Sequence, residues 1–182
     1  MKKIVCLCFA VMGLALLTGC DQLNIRWIKN NIFDLLGISN KTESQVNDLK
    51  QVGTGITMLQ FQNDDDKYPE SLTQIDAGDI DLSPYVYIGG QFNAYVNQLQ
   101  GRYSYRSVEI PGSTPVAFVA PEQVKDDEVP VLYADGHVAV VTIPNANGKS
   151  KRQIVEYLYE TDGSDEVRAV LDYVLRHSPE LN

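Results

Sequence analysis

Helical and extended stretches are segregated along this chain, and that order restricts its fold more than any other feature. In "TESQVNDLKQVGTGITMLQFQND", residues 42–64, Val46, Leu49, Val52, Ile56 and Leu59 recur at spacings of three and four, the period of a helix with one apolar face. Thr42 or Ser44 supplies a cap and Glu43 sits in the first turn. Gly53 and Gly55 weaken such a helix by about 1 kcal/mol each relative to Ala, which predicts close approach of another element. "NDDDKYP" ends the helix at Pro69, and Leu72 and Ile75 then make a short apolar turn. Residues 85–143 change character: "YVYIGG", "RYSYRSVEI", "TPVAFVAP" and "VPVLYADGHVAVVTI" are rich in Tyr, Val and Ile and punctuated by Gly, Pro and Ser, which predicts strands. "PVAFVAP", apolar throughout, reads as a central strand. After the loop "PNANGKS" come two short helices, "KSKRQIVEYLYE" and "SDEVRAVLDYVLRH", the second capped by Ser164. A helix, a run of strands and then helices predicts an α+β domain around an antiparallel sheet.

The most motif-like residues are Asp135, Gly136 and His137. Asp-Gly between alternating apolar residues is a strong hairpin signal, and a two-residue type I′ turn with positive φ at both positions accounts for the pair without chemistry. His137 then becomes a residue beside a turn. A hydrolase needs a nucleophile or a metal partner, and no HExxH or GxSxG accompanies it. The chain has only two histidines.

The N-terminus, "MKKIVCLCFAVMGLALLTGC", has Lys2 and Lys3, an apolar run from Ile4 to Leu17, then small residues before Cys20. That is the layout of a secretory signal, and the run is shorter than the roughly 20 residues a spanning helix needs. "LTGC" resembles the lipobox of bacterial lipoproteins. The resemblance implies removal of residues 1–19, lipidation at Cys20 (diacyl, with palmitate-type chains) and a protein tethered to the cell membrane and facing the periplasm. Asp21 after the lipidated cysteine points weakly to the inner membrane. The remaining cysteines, Cys6 and Cys8, would leave with the signal, so the mature chain has no disulfide and no thiolate ligand. Residues 20–41 form a juxtamembrane segment with Ile25, Ile28, Ile32 and Leu35 at helical spacing around Trp27; lying on the bilayer and packing on the domain fit the pattern equally. Residues 42–182 form the α+β domain.

The chain carries a net charge of −9, which becomes −11 without Lys2 and Lys3. Such a balance argues against nucleic acid, and membrane attachment falls to the acyl chains at Cys20.

"DLKQVGTGITMLQFQNDDDKYPESLTQI" resembles the helix-to-tip segment of type II secretion pseudopilins and type IV pilin-like proteins, where an "LK..G.A...Y..D...YP.SL" pattern closes a long helix. "VLYADGHVAVV" is similar to the "F.DGHV" hairpin of pilin-like proteins of the H-X9-DG type. Together they cover residues 43–143. The resemblance implies a long N-terminal helix packed on an antiparallel sheet, here with two extra C-terminal helices, and a role in assembly rather than catalysis. The chain lacks the prepilin cleavage site and the long apolar assembly helix, so a pilin-like module on a lipid tether is expected rather than a pilus subunit.

The expected function is that of a non-enzymatic envelope lipoprotein that binds another envelope protein, with no cofactor. The "NDDDKYPESL" tip supplies the candidate contact residues Asp64, Asp65, Asp66 and Tyr68, alongside the segment from Tyr85 to Phe92. The alternatives are an envelope enzyme acting on glycan through its Asp clusters and a transporter's substrate-binding lipoprotein, for which about 163 mature residues leave little room between lobes. Calcium at Asp64–Asp66, Asp76/Asp79/Asp81 or Asp126–Glu128 stays open, because none has the EF-hand spacing and a site built from distant loops is not legible in sequence.

Overall fold

The computed structural model describes residues 40–63, 67–100, 109–161 and 164–181. Cys20, the amphipathic stretch before residue 40, the acidic run 64–66 and most of the "RYSYRSVEI" strand expectation lie outside the described residues.

Helix α1 (Asn40–Asn63) buries Thr42, Gln45, Leu49, Val52 and Ile56, one stripe at spacings of three and four. It starts ahead of the expected caps, so Thr42 is fully buried in the first turn instead of capping it. Its glycines lie where other elements come close. A Cβ at Gly53 would stand 2.9 Å from Leu132 Cδ1, and one at Gly55 would stand 3.2 Å from the Asp76 carbonyl.

Four strands follow: β1 (Tyr85–Tyr87), β2 (Pro115–Val119), β3 (Glu128–Tyr133) and β4 (Val138–Thr142), all antiparallel and ordered β1-β2-β3-β4. Between β1 and β2 lies helix α2 (Phe92–Gln100), where the sequence reading expected only strands. Its Tyr and Val favour strands by propensity, yet Phe92, Tyr95, Val96 and Leu99 repeat at three and four. Burial of that face, with Phe92 fully enclosed, overrides propensity.

Pleating divides the sheet's side chains between two faces. Tyr85, Tyr87, Ala117 and Leu132 share the α1 face: Tyr85 Oη donates to Asp48 Oδ2 at 2.7 Å, and Leu132 meets Gly53. Val86, Phe118 and Val131 point the other way and are equally buried. Both faces belong to one buried core, to which α3 (Lys151–Thr161) and α4 (Asp165–His177) add Ile154, Val155, Leu158, Val167, Val170, Leu171 and Val174. Every residue of β2 is therefore buried. Both C-terminal helices begin with side-chain caps. Ser150 Oγ accepts from Gln153 N while Gln153 Oε1 accepts from Ser150 N, a reciprocal capping box, and Ser164 Oγ accepts from Val167 N.

Candidate hairpin and acidic sites

β3 and β4 are joined by the Asp135-Gly136 hairpin, but not by the two-residue turn expected from the sequence. Gly136 N donates to Tyr133 O at 2.9 Å, and Tyr133 N donates to His137 O at 2.9 Å. The loop thus has three residues, 134–136, and of these only Gly136 has positive φ, at +85°. This is a turn over Ala134 and Asp135 closed by a left-handed glycine, the three-residue hairpin with a bulge. Asp135 stays out of the left-handed region because its carboxylate has another task. Its Oδ1 accepts from His137 N at 3.0 Å and contacts His137 Nδ1 at 2.5 Å. The His137 N–H, and then the ring, hold the Asp135 carboxyl below the usual carboxylate range. A turn with left-handed φ at two successive residues does occur, at Lys125–Glu128. There Asp126 and Asp127 have φ of 55° and 61°, and Glu128 N donates to Lys125 O. Asp tolerates that region better than most residues.

The His137 ring stacks on Tyr133 with centroids 4.4 Å apart and planes within 3°. Ala134 N and Asp135 N donate to Thr114 O and Gly112 O, which ties the loop to the turn that leads into β2. The Asp–His pair has the polarity of a general base held by a carboxylate. Among the described residues, however, no hydroxyl, thiol or second carboxylate bonds the His137 ring. The other histidine, His177, stacks on Tyr173 at 4.0 Å with Nδ1 on the Tyr173 carbonyl. The structure does not join the two histidines through any described contact.

Three carboxylates of the described acidic clusters are engaged by backbone N–H groups. Asp76 Oδ1 accepts from Gly78 N, Asp81 Oδ1 from Ser83 N, and Asp127 Oδ1 from Ala146 N. The Ser83 N–H lowers the Asp81 pKa. Among the described residues no group of three His, Cys, Asp or Glu side chains is arranged to hold a metal ion. Tyr68, expected at the contact tip, is half-buried: its ring meets Phe92 edge-on at 5.0 Å, while Asn93 bonds its backbone N and O. Its contacts hold residues 67–69 against α2.

Two features went unseen in the sequence. A groove of about 290 Å³ lies between α2 and α4, lined by Tyr95, Leu99, Tyr173 and His177; it depends on α2, which the strand expectation hid. The other is at the C-terminal end of α1, where Met58 and Phe61 are 59% and 87% exposed. Their spacing of three on a helix was the available signal. No family model, curated protein or solved structure matches the chain.

Proposed function

We propose that this protein is a non-enzymatic lipoprotein of the bacterial cell envelope, anchored through Cys20 and facing the periplasm. In this reading a pseudopilin-like module binds another envelope protein, as a component of a type II secretion-like assembly. The observation that carries the binding role is the exposed pair Met58 and Phe61. Two large apolar side chains exposed three residues apart on one helix form a patch of the kind that marks interaction sites, and in sequence they precede the acidic run 64–66 where the contact is expected. The non-catalytic reading is supported by the structural engagement of several candidate groups: Asp135 and His137 close a hairpin, and Asp76, Asp81 and Asp127 accept backbone N–H groups. Among the described residues no helix is long and apolar enough to cross a membrane, and the lipid at Cys20 supplies the attachment.

The test is cross-linking of the tagged full chain in its native envelope, followed by identification of what is captured. Phe61→Ala and the triple change Asp64→Ala, Asp65→Ala, Asp66→Ala should each reduce recovery of a specific partner without lowering the melting temperature. Cys20→Ala should abolish labelling by a palmitate analogue and leave a larger precursor. Turnover of an envelope glycan by the purified protein, removed by loss of one carboxylate, would replace this reading with the enzymatic one.

A further inference from the structure

The two edges of the sheet are treated differently. β1 is only three residues long, and the N–H of Tyr85, which points away from β2, is taken by Leu82 O at 3.1 Å. Short, internally satisfied edges are how folds prevent strand addition. β4 has none of these guards. Its pairing with β3 runs without a bulge over five residues, Val138 opposite Leu132 through Thr142 opposite Glu128. Bonded pairs at Tyr133–His137 and at Asp127–Ile143 fix the phase of that ladder. Antiparallel pairs alternate, so Val138, Val140 and Thr142 are the residues whose N–H and C=O point outward. Among the described residues only one group reaches them: Tyr157 Oη donates to Thr142 O at a long 3.4 Å. The strand "VAVVT" contains no charge, proline or glycine, and Val140 is 37% exposed.

We propose that β4 pairs with β4 of a second copy of this chain, antiparallel about Val140, to join the two sheets across a two-fold axis. The hydrogen-bonding row selects an extended strand as the occupant, and the sequence of that row selects its own copy. Centred on Val140, the outward residues match one another: Val140 meets Val140, and Val138 meets Thr142 in both directions. Each outward N–H then finds a carbonyl, β-branched side chains face each other at the three hydrogen-bonded pairs, and no like charges are opposed in a chain of net charge −9. The weak Tyr157 bond is exchanged for a backbone one. A two-fold interface of this kind is self-complementary by construction. The inference goes beyond the proposed envelope role and does not depend on it, because it concerns the purified protein alone.

Sedimentation equilibrium of the purified full chain in detergent, from micromolar to hundreds of micromolar, reads the association directly. A dimer is expected. Val140→Pro removes one outward N–H and spares the β3 ladder, and Val140→Lys places two cations face to face across the axis. Each should weaken dimerisation at least tenfold while keeping the monomer's melting temperature within a few degrees of the parent. If Val140→Pro fails to fold, Val140→Lys, at an exposed position, decides the matter. A parent that stays monomeric throughout the range overturns the proposal. So does a dimer that survives Val140→Lys.

Discussion

Replacing Gly136 by valine isolates the backbone term of the hairpin. A Cβ at Gly136 would meet no heavy atom within 4 Å, so no collision contributes and the whole effect comes from φ of +85°. Left-handed backbone costs an L-residue about 1–2 kcal/mol, and a β-branched side chain brings the total to about 2–3 kcal/mol. Asparagine tolerates the region and should cost less than about 1 kcal/mol. The expected order of stability is parent, Gly136→Asn, Gly136→Ala, Gly136→Val. Equilibrium urea unfolding of the full chain in mild detergent, followed by circular dichroism, measures it. With a slope of about 2 kcal/mol per molar, valine should lower the midpoint by about 1 M. The slope should stay the same, since the surface exposed on unfolding does not change. A valine variant within about 0.3 kcal/mol of the parent would refute the backbone argument, given the expected penalty of about 2 kcal/mol. So would an asparagine variant as unstable as the valine one.

Tyr85→Phe leaves Asp48 Oδ2 without its donor and should cost about 1–2 kcal/mol in the same unfolding assay. Burial pushes the Tyr85 and Tyr87 hydroxyl pKa values up, with the Asp48 carboxylate adding to the rise at Tyr85. Their folded pKa values exceed the unfolded value of about 10, so this stability is intact below about pH 10 and is lost as pH rises beyond it. Melting temperatures between pH 8 and 11.5 should show the decline, and Tyr87→Phe should make it shallower. Tyr68→Ala removes the edge-on contact with Phe92 and should destabilise by about 2 kcal/mol, a loss visible in the melting curve before any loss of partner recovery. His137→Ala removes only the stack on Tyr133 and an exposed hydrogen bond to Asp135; it should cost less than about 1 kcal/mol and leave the cellular phenotype unchanged.

The periodic face of α1, the buried strand β2 and the Ser164 cap were legible because one local signal decided each: spacing, continuous apolarity, a capping residue. The helix α2 was not legible, because its aromatic and β-branched residues favour strands and only tertiary burial of Phe92 tips the balance. The turn type at Asp135 was misread for a related reason. Asp-Gly fits two hairpin geometries, and the choice was made by a hydrogen bond from His137 N that depends on the loop itself. At the contact tip, the spacing of Tyr68 gave no hint that Phe92 covers it, whereas Met58 and Phe61 fall outside the buried stripe of α1 and could have been read as exposed.

The strands follow one another in space as they do along the chain, and this shapes how the molecule assembles in time. β3 and β4 are separated by four residues, 134–137, β2 and β3 by eight, 120–127, and β1 and β2 by twenty-seven, 88–114. Closing the longest of these loops costs about 1.7 kcal/mol more entropy than closing the shortest, by the logarithmic dependence on loop length. The β3–β4 hairpin should therefore nucleate first, β2 should add to it, and β1 should dock last, after α2 has formed between them. Substitutions in the hairpin should slow refolding, while those in β1 should chiefly speed unfolding. On that route β4 is present as a bare edge from the earliest sheet onward, so the window for mispairing between newly made chains opens before the rest of the domain has closed.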